Sequence, residues 1–527
     1  MLNLKGTENM SRIFAYVGTN GAKQSVQPSE NELFFVAANG DIENRRALLN
    51  ICGKDFSFAN DEELLLGCLC AMDEKNKTQL LFKLSDTVVG NISFAFIPSG
   101  ENAIYCKSGI SKLFIGISES GSYLSDDLEV LQPLCEKYAV LENNQTAKLT
   151  KERILFFDSK HKKTKKPFTL SDKRRSEIGS DQSIEKALCC SLSAKETFYR
   201  FVKNGRFAFD YLKLKSAYLN KINKITLLGS SSSKSTALAC RELFETYCLI
   251  DSNALDCEEF LNSKTPIDKN TLVIIISDGS DIRALEALEK ARKSGAKILA
   301  VSNSKYSALA LNCDYLISPN KYSYGVYFPA DFVSDYLALS LFALYFGYRI
   351  NVISELFLGV SIKMAEMLSG IIQTASKPSA AYESASLLML GAQNVFVCSV
   401  GTDFSLSFSG AQLIRQTAQR CALSLSLSEL CEINAALISG SAVFALISDK
   451  ERIWSTAKKL MQIKETGADI IIITSEGIAQ ELEGFENIIA FNDSLPIFNP
   501  LPCISSLYKI ALMAQENNNS NDIEQSA

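Results

Sequence analysis

The sequence predicts an α/β protein in which a β-rich amino-terminal domain precedes two doubly wound, parallel α/β domains. Three observations carry that expectation. Between residues 31 and 155, short β-favouring runs alternate with turn residues. From Lys221 the runs become continuously apolar and alternate with helical segments, the pattern of strands buried on both faces. After a helical stretch over residues 331–385, the same alternation begins a second time.

In the first domain, residues 10–157, "ELFFVAANGD", "QLLFKLS", "NISFAFIPSGENAIYC", "KLFIGISESGSYLS", "KYAVLENNQTAKLT" and "RILFFD" read as strands of a mainly antiparallel sheet. A helix is expected over Glu62–Met72. Residues 158–215 read as a basic linker with connecting helices, because Lys and Arg crowd the segment from Lys160 to Arg175 among Ser, Thr and Gly. No aromatic interleaving or amphipathic period accompanies that charge, so neither nucleic acid nor a membrane is expected as a partner. "KITLLG", "TLVIIIS", "AKILAVS" and "CDYLISP" are the strands of the first α/β domain, residues 216–385. "NVFVCSVG", "AVFALIS", "ADIIIITSEG" and "NIIAFND" are those of the second, residues 386–515. The polar tail, 516–527, reads as disordered.

At 527 residues the chain is too long for one core, and a net charge of −5 gives no overall attraction to nucleic acid. The apolar helix from Leu337 is interrupted at Arg349, which makes it a core helix too short to span a bilayer. The amino terminus lacks the layout of a signal peptide. Fifteen cysteines without CxxC spacing read as reduced, buried thiols of a cytoplasmic protein. One histidine, His161, sits in the lysine-rich "DSKHKKTKK", which reads as solvated. That excludes a Ser-His-Asp triad or a His-rich metal site in a folded pocket, and no cofactor or metal is expected.

The stretch "ITLLGSSSSKSTALACRELFE" runs from a strand through a small-residue loop into a helix, the arrangement in which α/β folds hold phosphate. A second strand end, "IIISDGSDI", would share its crevice. Ser232, Ser233, Ser277 and Ser280 offer hydroxyls there, and Gly229 and Gly279 permit close backbone approach; serines and glycines also simply build turns. Asp278 and Asp281 oppose anion binding. Two unit charges roughly 4 Å apart interact by about 4 kcal/mol at an effective dielectric near 20. A helix N-terminus returns at most about 2 kcal/mol.

The order of motifs resembles the glucosamine-6-phosphate synthase family, the glutamine–fructose-6-phosphate aminotransferases. That family has a glutaminase half of the N-terminal-nucleophile (Ntn) type and two sugar-isomerase (SIS) domains. "MSRIFAYVG" (10–18) resembles M-C-G-I-V-G-Y-V-G, and "VAANGDIEN" (36–44) resembles V-V-H-N-G-I-I-E-N. "FSFANDEEL" (56–64) resembles F-V-S-E-T-D-T-E-V, and residues 106–126 resemble the R-S-G segment ending in S-D. Downstream, "LLGSSSSKS" resembles L-A-C-G-T-S-Y-N-S, "ISDGSDI" resembles L-S-Q-S-G-E-T-A-D, and "SGAQLIRQ" stands where E-G-A-L-K-L-K-E is expected.

The resemblance implies a dimer and a sugar-phosphate ligand at Ser232, Ser233, Ser277, Gly279 and Ser280. It also implies a chemistry that has been dismantled. Ser11 stands at the nucleophilic cysteine, and the stretch that holds glutamine is missing; Asn39 and Gly40 are the surviving oxyanion-hole pair and Asp61 the surviving contact to the glutamine amino group. Serine without an adjacent base is a poor nucleophile. In the isomerase half, Glu432 stands at the ring-opening histidine, Ser409 and Leu413 replace a glutamate and a lysine, and Gln416 replaces the proton-abstracting glutamate. Phe328 replaces a ligand-binding serine, and the C-terminal lysine has no counterpart. The expectation is a catalytically silent relative in a binding, scaffold or regulatory role. The alternative is an active aminotransferase or sugar-phosphate isomerase using other residues, such as Glu429 or Glu432.

Overall fold

The computed structural model describes residues 13–526 apart from 19–20, 25–28, 31–32, 54–59, 73, 110–112, 127–130, 132–133, 171–181, 278–280, 303–306, 320–327, 378, 400–403 and 452. By their internal contacts the residues fall into two units. One comprises Met1–Gly179, Asp278–Leu285 and Ser304–Asn312; the other comprises Ser180–Ser277, Glu286–Asn303 and Cys313–Ala527.

The first unit contains two antiparallel sheets. One has the strand order 169–170, 137–141, 113–118, 121–125, 14–18, 21–24, and the other 163–164, 154–157, 146–150, 103–107, 90–98, 34–42, 29–30. Period-two alternation builds a core on each side of the second sheet. Ala37, Ala95 and Ile97 turn to the first sheet and meet Ala15, Val17 and Ile115. Val36, Phe94 and Phe96 turn the other way, under Leu65 and Leu69 of helix Asp61–Ala71 and Leu80 and Leu84 of helix Lys77–Thr87.

Helix Lys77–Thr87 corrects the reading of "QLLFKLS" as a strand. Its buried residues, Leu80, Leu81 and Leu84, follow the helical period, and the Asn76 side chain accepts from the Thr78 and Gln79 N–H groups at its start. The lysine-rich segment is likewise more than a linker. Lys163–Thr164 and Thr169–Leu170 are edge strands of the two sheets. His161 adopts a left-handed φ of 59°, stacks on Phe82 with ring centroids 4.3 Å apart, and places Nε2 2.8 Å from Asp86 Oδ1. It is packed where the lysines around it predicted solvation.

The second unit holds two five-stranded parallel sheets of identical topology. Their orders are 251–256, 224–229, 271–276, 297–301, 315–317 and 422–426, 395–399, 442–447, 469–475, 487–491. Strands such as Thr271–Ile276 and Ala442–Ile447 are buried at every position, as strands covered on both faces must be. One apolar core runs through both modules, from Leu227 and Ile274 through Phe342 to Phe444 and Leu507.

Helix Phe328–Arg349 crosses that core. Its segment Ala330–Arg349 is longer than the sequence reading allowed and has the length and composition of a membrane span, yet it is almost wholly buried. The last helix, Pro500–Ser526, continues through the residues that composition assigned to a disordered tail.

Candidate functional site

In the first parallel sheet, strand Lys224–Gly229 pairs with Asp251–Asp256 on one side and Thr271–Ile276 on the other, in a register that aligns Gly229 with both Asp256 and Ile276. Ser230 and Ser277 therefore leave the sheet side by side at its carboxyl edge, where doubly wound sheets bind ligands. Gly229 is required by packing: a Cβ there would lie 2.4 Å from the Ser233 carbonyl oxygen. The loop folds back on the strand through a tight turn. The Ser233 N–H donates to Ser230 O at 3.1 Å, and Ser231 at its corner has φ 53° and ψ −118°, a conformation glycine ordinarily supplies.

Helix Ser232–Cys248 starts directly from this turn, with Ser232 and Ser233 half-exposed at its amino end. Ser235, one turn in, is buried and faces inward; its hydroxyl donates to Ser232 O at 2.7 Å and lies 3.4 Å from Gln412 Oε1 of the second module. Ser277 is 5 % exposed, and its N–H donates to Val301 O. Gly279, Ser280 and Asp278 lie outside the described residues, so the structure places Ser232, Ser233 and Ser277 along one sheet edge and leaves the others unplaced. Asp281 is spent locally: its carboxylate accepts from the Arg283 N–H at 3.0 Å and lies 3.8 Å from the Arg283 side chain.

Two carboxylates that the sequence reading passed over, Asp256 and Asp335, lie on elements packed against helix Ser232–Cys248. Lys234 Nζ is 4.0 Å from Asp256 Oδ2, and Asp256 also caps helix Cys257–Asn262. Asp335, on helix Phe328–Arg349, is 2 % exposed; burial first, and then this carboxylate, hold the Cys240 thiol well above its ordinary range. A carboxylate inside the run "DFVSDYLALSLF" was the available signal.

In the first unit, the described residues that the resemblance assigned to a glutamine site have partners within the chain. Asn39 is buried on strand Phe34–Ile42, opposite Ser93, and its side-chain amide donates to Asp126 Oδ2 at 2.9 Å. Gly40 follows it, opposite Ile92. Asp61 opens helix Asp61–Ala71, accepts the Ile42 N–H at 3.3 Å and pairs with the Arg45 guanidinium. Ser11 lies outside the described residues. Arg45 follows "VAANGDIEN" directly, but nothing in its spacing announced this contact.

In the second module, Ser409 and Leu413 of helix Phe404–Thr417 are buried and Gln416 is exposed. Glu432 is exposed at the end of helix Leu427–Glu432. Glu429 closes a capping box with Ser426, and hydrogen bonds from Ser426, side chain first and then backbone, hold its carboxyl below the ordinary value. Helix Phe328–Arg349 begins at Phe328.

Two successive parallel sheets of the same strand order, interleaved with helices, define a doubly wound α/β protein. The SIS domain family matches residues 218–344. Over 498 residues the chain is 22% identical to the glutamine–fructose-6-phosphate aminotransferase (isomerizing) of Clostridium tetani, covering 90% of this chain and 80% of that one. With the Clostridium acetobutylicum enzyme of the same name it shares 21% over 508 residues, covering 92% and 81%. The C-terminal domain of glucosamine-fructose-6-phosphate aminotransferase from Francisella tularensis has the same fold, with a TM-score of 0.58 at 16% identity over 64% of this chain and 98% of that one. The chain is a strongly diverged relative of the glutamine–fructose-6-phosphate aminotransferases, with a SIS domain in its first parallel module.

Proposed function

We propose that this chain is a catalytically silent relative of glucosamine-6-phosphate synthase that keeps a weak sugar-phosphate site at Ser232, Ser233 and Ser277 and acts as a scaffold or regulatory subunit, paired with a second copy of itself. The observation that carries the reading is the fate of the two surviving polar groups of the glutaminase half. Asn39 donates to Asp126, and Asp61 is neutralised by Arg45, so each is satisfied from within the chain. A glutamine entering there would have to displace a charge-assisted pair to reach Asp61.

The isomerase half supports the same reading. Acid–base chemistry on a ketose phosphate needs a group able to take a carbon-bound proton and another able to protonate the ring oxygen. At the corresponding positions stand a buried Ser409, a buried Leu413 and an exposed Gln416. Glu429 is held ionised by its capping role, and Glu432 is exposed at the end of its helix. We place the chain in the cytoplasm, where its mostly buried thiols would stay reduced.

The experiment is a pair of assays on the same preparation. Titration with fructose-6-phosphate should show weak binding that Ser233→Ala reduces further. Incubation of fructose-6-phosphate with glutamine, or with ammonia, should yield no amino sugar. Amino-sugar formation would establish the active alternative.

A further inference from the structure

Helix Glu355–Ala375 has two different faces. One, including Ile362, Leu368 and Ile372, is buried in the core of its own unit. The other is exposed without being polar: Leu356 is 80 % exposed, Val360 45 % and Met367 61 %. On that same face stand two mid-helix glycines, Gly359 and Gly370. A Cβ at either would meet no atom within 4 Å, and neither has a left-handed φ. Glycine inside a helix is destabilising relative to alanine. Neither packing nor backbone conformation within the chain requires it at these positions.

We propose that this face is the seam on which a second copy of the chain docks, antiparallel, about a two-fold axis. The inference rests on the pairing proposed above and assigns it a surface. The exposed positions recur at steps of three and four residues, the spacing of a coiled-coil seam, over Leu356, Gly359, Lys363, Glu366 and Gly370, with Val360 and Met367 alongside.

Self-complementarity commits the occupant to a second copy, because an isologous interface must match itself. The register that sets Gly359 against Gly370 of the second copy also sets Lys363 against its Glu366, and brings Val360 beside its Met367. Each of these contacts occurs twice. Paired glycines let the two backbones approach closely, and the apolar side chains then cover the gap. The neighbouring register opposes the two Lys363 ammonium groups and separates the glycines, so charge and shape select the same alignment.

The test needs no ligand: light scattering and analytical ultracentrifugation of the full chain across a concentration series. Gly359→Leu and Gly370→Leu should each raise the dissociation constant by about tenfold or more through overpacking of the seam. Their thermal stability when monomeric should be unchanged or higher, because the new side chains meet open space. Lys363→Glu should weaken the dimer, and the double variant Lys363→Glu with Glu366→Lys should restore it. A dimer indifferent to the glycine and charge variants would overturn the surface while leaving pairing intact. A monomeric wild-type chain at high concentration would overturn both.

Discussion

The Arg45 guanidinium lies against the Asp61 carboxylate at the start of helix Asp61–Ala71, and the same carboxylate accepts the Ile42 N–H at 3.3 Å. One side chain thus ties strand Phe34–Ile42, helix Arg45–Cys52 and helix Asp61–Ala71 together. The carboxylate to which the resemblance assigns a free amino acid's ammonium is engaged in a structural joint.

Arg45→Ala should lower the stability of the first unit by about 1 kcal/mol, the range for a partly exposed ion pair that also orders a carboxylate. Thermal unfolding measures this. Glutaminase activity should not appear in the variant. A gain of glutamine hydrolysis would mean that Arg45 blocks a competent site.

The turn before helix Ser232–Cys248 makes a paired prediction. Gly229→Ala should destabilise by about 1–3 kcal/mol, because its Cβ collides with backbone at Ser233. Ser231→Gly should stabilise by about 1 kcal/mol, by removing a side chain from an unfavourable φ and ψ. Denaturant titrations of the two variants should therefore move in opposite directions. Movement in the same direction would contradict the turn geometry.

Alkaline pH should unfold the protein cooperatively. Burial pushes Tyr382 up to about 12 from an ordinary 10.0, and pushes Cys106 and Cys398 up to about 12 from 9.0. The unfolded chain releases these protons first, so above pH 9 the folded state binds more protons than the unfolded one. Their contribution to stability is complete below pH 9 and is lost as pH rises towards 12. Stability measured from pH 9 to 11 should fall progressively, and a flat profile would contradict the burial of these groups.

The parallel modules were legible because strands such as Thr271–Ile276 must be apolar at every position when both faces are covered. "QLLFKLS" misled because a short apolar run fits a strand or a helix equally; Asn76 at its start and the spacing of Leu80, Leu81 and Leu84 decided the outcome. His161 misled because composition reports the neighbours in sequence, while Phe82 and Asp86 reach it through the fold. The strand ends bearing Ser232 and Ser277 were readable as a place. What could not be read was pairing across distance: Arg45 to Asp61, Asn39 to Asp126, or Ser235 to Gln412, which are 177 residues apart. Such contacts depend on how whole elements pack, and no local pattern encodes them.

Proton exchange at C2 of fructose-6-phosphate in deuterated water, followed by NMR, tests the central claim most directly, since it detects isomerase chemistry without requiring glutamine or a complete reaction. No exchange above the protein-free rate is expected, while the ligand's signals broaden on binding in a manner that Ser233→Ala reduces. Exchange catalysed by the wild-type chain and lost in Glu432→Gln would contradict it.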